Sequence, residues 1–173
     1  RAESASCRLA AAAQEFIAGA SRRDRKPLNV RRSPSRCSRS SATRARARAL
    51  QLLYACELTG TGSVAAAGGL ARLTGPEPRV LDGAEELASG VLANRESLDR
   101  LIQGAADNWR VERIGVVERN ILRLGIHELQ VGQTPPKVVI DESIRLSQWF
   151  GGAKTPAFVN GVLDRIAHTL GRL

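Results

Sequence analysis

Apolar residues return at helical spacing through most of the chain. Thr43 to Leu58 reads TRARARALQLLYACEL, with Leu50, Leu53, Tyr54 and Leu58 on one stripe and Arg44, Arg46 and Arg48 in the half before it. Residues three and four apart share a helix face, so this stretch predicts a helix with a basic first half and a buried second half. Val64 to Leu73 is Ala- and Gly-rich and predicts a short helix, closed by the break Gly75-Pro76-Glu77-Pro78. Arg79 to Arg95 carries Val80, Leu81, Leu87, Val91 and Leu92. Glu96 to Ala106 continues with Leu98, Leu101, Ile102 and Ala105, and a bend near Asn94 is predicted between the two.

Val111 to Val131 is the longest periodic segment. Ile114, Val117, Ile121, Leu124 and Leu129 trace one face, and Leu122 and Ile126 widen it, which predicts a helix central in a bundle. Glu118, Arg119 and Arg123 among these hydrophobes predict one edge that reaches solvent. Gly132 and then Pro135-Pro136 end the segment. Lys137 to Phe150 has Val139, Ile140, Ser143, Leu146 and Phe150 at helical spacing, and Asp141-Glu142 reads as a solvated acidic face. After Gly151-Gly152, Pro156 can open a last helix. From Phe158 to Leu170 its stripe is Val159, Leu163, Ile166 and Leu170, flanked by Val162. No stretch predicts a convincing strand. The expected fold is an all-α, antiparallel helical bundle of six or seven helices.

Charge divides the chain in two. The net charge is +9, yet residues 1–48 carry thirteen basic and three acidic side chains, so the remainder is close to neutral. A basic arm on a near-neutral body points to a polyanion, with nucleic acid first and a membrane surface second. Residues 21–41 are rich in Arg, Ser and Pro with little to bury, which predicts disorder over residues 1–41 apart from a weakly helical Ala10 to Ala20. Three readings of this extension stand together: an arm adding phosphate affinity, an organellar transit peptide, and an extension without function. The first residue is Arg1 and the sequence has no Met, which fits a fragment or a non-standard start. A core of Ala, Leu, Val and Ile is expected, because aromatics make up only 3% of the chain. No apolar run is long enough to predict a transmembrane helix.

The motifs of common chemistries are missing. There is no phosphate-binding Gly-rich loop, no HExxH and no GxSxG. Cys7, Cys37 and Cys56 are odd in number and widely spaced, and His127 and His168 lie far apart, so no metal site or disulfide framework is predicted. Cys56 reads as a small core residue in a reducing cytoplasm. Asp141 and Glu142 lack the third group that catalysis would need. Binding is the better class, with no enzyme activity, cofactor or metal expected.

Phe158-Val159-Asn160-Gly161-Val162-Leu163-Asp164 resembles the signature of the NusB family of transcription antitermination factors. Three further stretches resemble that family in its own order: Arg46 with Ala49 to Tyr54, Glu118 to Arg123 with Glu128-Leu129, and Pro136 to Glu142. The resemblance runs from about Thr43 to the C-terminus. It implies an all-α bundle of two small helical subdomains occupying residues 42–173. It also implies binding to the boxA element of ribosomal RNA leaders together with ribosomal protein S10, within an antitermination complex of RNA polymerase.

Carried over position by position, the resemblance implies phosphate contacts at Arg44, Arg46 and Arg48, where guanidinium forks suit phosphate oxygens. Gln51 and Tyr54 match positions beside the RNA surface; Tyr54 also reads as a core aromatic with its hydroxyl at the rim. Glu118 matches an acceptor for base edges, or a surface carboxylate paired with a neighbouring Arg. Phe158 and Asn160 match the loop that meets RNA. Phe158 reads equally as a base-stacking side chain or as core packing, Asn160 as a loop cap or brace, and Gly161 as a site of close helix approach. Trp109 reads as a hinge between helical layers, with base stacking as its alternative. Two departures from the family stand out: Arg alternates with Ala where a denser basic run is usual, and the loop before Phe158 is GGAKTPA. Arg36 and Arg39 are placed to supply the missing charge.

Two rivals remain. One is the NusB-like domain that precedes a ribosomal RNA cytosine methyltransferase, although no cofactor-binding domain follows Leu173 here and a stand-alone member is expected. The other is a helical protein-interaction module for which the three arginines matter little. A cytoplasmic location is expected, or a plastid one if residues 1–41 act as a transit peptide.

Overall fold

The computed structural model describes residues 40–60, 64, 78–106 and 110–173. The expectations for residues 1–39, for most of the stretch between Val64 and Glu77, and for Trp109 lie outside them. Among the described residues there are six α-helices, a single 3-10 turn and no strand: α1 (Ser41–Thr59), α2 (Pro78–Ala93), α3 (Arg95–Ala105), α4 (Val116–Val131), α5 (Pro136–Phe150) and α6 (Thr155–Thr169).

Local chemistry sets the helix ends. The Ser40 hydroxyl accepts the Thr43 N–H at 3.1 Å and caps α1, and Gly60 closes that helix at φ 68°. The bend predicted at Asn94 separates α2 from α3; there the Asn94 N–H reaches back to the Val91 carbonyl at 3.3 Å. Gly132 ends α4 in the left-handed region at φ 75°, and Pro136 opens α5.

One boundary departs from the sequence pattern. Val111 to Val131 is not a continuous helix: Val111–Arg113 is a 3-10 turn, Ile114 is extended, and α4 starts only at Val116. The Arg119 guanidinium explains the break, since its Nη1 donates to the carbonyls of Val111 at 3.2 Å and Ile114 at 3.4 Å. Those carbonyls are held from the side rather than by a continuing helical ladder, and Gly115 costs a helix interior about 1 kcal/mol.

Helix α4 is the hub. It packs on α1, α2 and α3 on one side and on α5 and α6 on the other, and one contiguous apolar cluster joins both sides. Ile121, Leu122, Leu124, Ile126 and Leu129 of α4 are all buried, so the helix is enclosed over most of its girth. Ion pairs give the directions. Arg46 near the start of α1 meets Glu128 near the end of α4, and Glu57 near the end of α1 meets Arg119 near the start of α4. These two helices are therefore antiparallel.

The edge of α4 expected to reach solvent does so only in part: Glu118 and Arg119 are part-exposed, but Arg123 is covered. Arg123 is 3% exposed, and its charge is met inside the protein. Nor is the acidic pair of α5 a solvated face, because Asp141 is exposed but Glu142 is buried. Asp141 and Glu142 are neighbours on a helix and point about 100° apart, so a single face cannot hold both.

Close helix approach occurs at Gly125, not at Gly161. A Cβ on Gly125 would lie 2.9 Å from Leu163 Cδ1 and 2.9 Å from Ser143 Oγ, whereas Gly161 faces open space. Ser143 is itself fixed, donating to the Val139 carbonyl at 2.8 Å. Gly125→Val is therefore expected to overpack the junction of α4, α5 and α6 and to destabilise the fold by roughly 1–3 kcal/mol. Urea unfolding checks this, with Gly161→Ala, in a helix interior and facing open space, as the variant expected to gain up to about 1 kcal/mol.

Candidate nucleic-acid interface

Alternating Arg and Ala on a helix cannot put every Arg on one face. At about 100° per residue, Arg48 stands about 40° from Arg44, while Arg46 stands about 200° away. Arg44 is exposed and Arg48 half-buried. Arg48 Nη1 donates to Gln51 Oε1 at 2.8 Å, and burial lowers the Arg48 pKa from its ordinary value. Arg44, Arg48 and Gln51 thus form one outward stripe, with half-buried Tyr54 flanking its far end.

Arg46 points inward and is 7% exposed. Its Nε donates to Glu128 Oε2 at 2.9 Å and its Nη2 to Oε1 at 2.6 Å. Burial works to lower its pKa, but the Glu128 bonds and charge, with the charge of Glu142, outweigh it and hold the pKa above its ordinary value. The phosphate contact expected at Arg46 gives way here to an interhelical ion pair.

Glu118, Phe158 and Asn160 lie at the other end of the α1–α4 pair. Glu118 begins α4 over Gly115, and its Oε1 accepts the Thr155 hydroxyl at 2.8 Å. Its partner is therefore Thr155, not a neighbouring arginine. Thr155 also accepts the Gly152 N–H at 2.9 Å, so one buried hydroxyl ties the start of α4 to the loop before α6. Phe158 is half-buried, with part of its ring on the core. Asn160 is exposed, and its side chain makes no hydrogen bond among the described residues, so it neither caps nor braces the loop.

The expected residues are therefore spread along the α1–α4 pair rather than gathered in one pocket. From Arg44 to Glu57 α1 rises about 20 Å. Tyr54 stands one turn before Glu57, whose carboxylate meets Arg119, the neighbour of Glu118.

Sequence reasoning missed the buried network beneath this end. Glu57 accepts from Arg119 Nη2, from Asn120 Nδ2 at 2.9 Å and from Arg123 Nη1 at 3.3 Å. Arg123 also forks onto Asp99 at 2.7 and 2.8 Å. Arg119 and Arg123 are thereby committed to the fold. Their position among apolar residues was the signal: an Arg on a buried helix face needs a carboxylate partner.

An all-α bundle with an outward cationic stripe, a braced carboxylate and a partly exposed aromatic ring has the makings of a binding protein for a polyanion with stackable groups. The chain belongs to the NusB family, which it matches over residues 43–168. It is 42% identical over 126 residues to the transcription antitermination protein NusB of Anaeromyxobacter sp. (strain Fw109-5), covering 72% of this chain and 88% of that protein. NusB of T. maritima, 30% identical, superposes with a TM-score of 0.67 over 75% of this chain and 92% of that one. A crystal structure of the antitermination factors NusB and NusE in complex with dsRNA superposes equally well, with a TM-score of 0.67 at 26% identity, over 75% of this chain and 97% of that one.

Proposed function

We propose that this protein is a transcription antitermination factor that binds boxA-type RNA of ribosomal RNA leaders together with NusE, the ribosomal protein S10. The outward stripe of exposed Arg44 and half-buried Arg48 and Gln51 carries the reading, because it sets guanidinium groups toward solvent on a helix in a member of this family. In this reading Arg44 and Arg48 contact phosphate, and Gln51 and Tyr54 border the strand. Glu118 offers its remaining acceptor capacity to a base edge, and Phe158 stacks on an unpaired base beside Asn160. Arg46 acts through the fold. The domain comprises residues 42–173, and its task is binding rather than catalysis.

The methyltransferase-domain alternative is less well supported, since the relatives named above are antitermination proteins matched over most of their length. Among the described residues no helix is long and apolar enough to cross a membrane. A cytoplasmic setting fits the bacterial relatives, which lend no support to a plastid one.

Titration of the protein against boxA RNA and a scrambled RNA, with and without S10 and at two salt concentrations, tests the reading. Tighter binding to boxA, strengthened by S10, is expected. Replacing Arg44 and Arg48 together by Ala should weaken both RNAs and lower the salt slope by about 0.7 per lost single-strand phosphate contact. Equal affinity for the two RNAs, indifferent to S10, refutes it.

A further inference from the structure

Most of the arginines on and around α4 are occupied. Arg46 has Glu128, Arg119 has Glu57, Arg123 has Asp99 and Glu57, and Arg145 has Glu142. Arg110, just before the 3-10 turn, and Arg113, its last residue, are different. Both are exposed, and neither forms an ion pair or hydrogen bond through its side chain among the described residues. Lys154, the residue before Thr155, is likewise exposed and unpaired.

Short bonds hold these three residues at one end of the bundle. The 3-10 turn is fixed to α4 by Arg119, which grips the Val111 and Ile114 carbonyls. The loop of Lys154 is fixed to α4 by the Thr155 hydroxyl on Glu118. Glu118 itself lies over Gly115, the second residue past that turn. The backbones carrying all three cations are thus rigid, so they can meet an anion without first ordering a loop. Among the described residues two carboxylates stand with them, exposed Glu112 and half-buried Glu118, and the group stays net positive.

We propose that Arg110, Arg113 and Lys154 form a second phosphate-contacting group for the RNA, at the opposite end of the α1–α4 pair from Arg44. The proposal rests on the RNA-binding reading above and extends it. A strand leaving Arg44 and Arg48 passes Tyr54, meets Glu118 and Phe158, and has its further phosphates neutralised at the α4 start. Cations at both ends with base-contacting groups between them give phosphate contacts the job of setting register. The pairing of Arg119 and Arg123 with Glu57 and Asp99 beneath this end leaves that task to the turn and loop cations.

The experiment compares wild type, the triple variant Arg110→Ala/Arg113→Ala/Lys154→Ala, and Glu112→Gln. Each is titrated with boxA RNA and scrambled RNA over a salt series, after circular dichroism and a thermal midpoint have shown that the exposed substitutions leave the fold intact. The triple variant is expected to bind both RNAs roughly tenfold more weakly, with the boxA preference kept and the salt slope reduced by about two. Glu112→Gln is expected to shift affinity the opposite way. A triple variant whose slope and affinity equal wild type, while wild type still prefers boxA, overturns this assignment and leaves the RNA reading standing. A wild type with no boxA preference overturns the RNA reading itself, and this assignment with it.

Discussion

Replacing Arg46 by Ala is expected to destabilise the protein by about 3–5 kcal/mol, the usual cost of removing one partner from a buried ion pair. The side chains of Arg46 and Glu128 are only 9% and 8% exposed, so water cannot take over the abandoned carboxylate. Glu142 worsens the loss. Its charge acts on Arg46, and its Oε2 is buried with no hydrogen-bond partner among the described residues. Without the guanidinium, Glu128 would lie unpaired near Glu142, which keeps Arg145 on its other oxygen. The midpoint of urea unfolding should fall with little change in slope. The double variant Arg46→Leu/Glu128→Leu should recover much of the loss, because an apolar pair needs no desolvated charge. RNA affinity per folded molecule should stay near wild type in both. A single variant as stable as wild type would show that the pair contributes nothing. A folded single variant with a lower salt slope would return Arg46 to the RNA surface.

Glu57→Leu should cost about 3 kcal/mol, at the lower end for a broken buried pair because Arg123 keeps Asp99. The Arg123 and Arg119 side chains are 4% and 14% exposed, and Glu57 is the carboxylate they share. The effect should also travel. Arg119 holds the carbonyls that form the turn before α4, and Arg119 Nε already lacks a partner among the described residues. Losing Glu57 should therefore speed amide hydrogen exchange around residues 111–115 before the rest of the bundle opens. Glu57→Gln, which keeps an acceptor but no charge, should fall between. Uniform exchange across α4 in the Leu variant would disprove that Glu57 anchors this turn.

The helices and their order were legible because each carries an apolar stripe of period 3.6 and most end at Gly or Asn, α3 and α6 closing instead at Ala106 and Leu170. The continuous helix predicted from Val111 failed for a reason outside local pattern: an arginine eight residues on holds the Val111 carbonyl. The candidate site was legible in kind more than in detail. Arg44 and Arg48 follow from periodicity, and the same periodicity sets Arg46 on the opposite face. Glu118, Phe158 and Asn160 came from family likeness. Arg110 and Arg113 were passed over because they precede the motif and interrupt no pattern.

The sequence by itself determined the all-α class, the helix faces and the concentration of positive charge before Ala49. These depend on spacing and composition, which are local or additive. Tertiary structure alone decided which cations are spent and which are offered. Arg46 finds Glu128 across 82 residues, and Arg119 finds Glu57 across 62. The charge of an arginine is written in the chain, but its availability depends on whether folding brings a carboxylate within hydrogen-bond reach and excludes water from the pair.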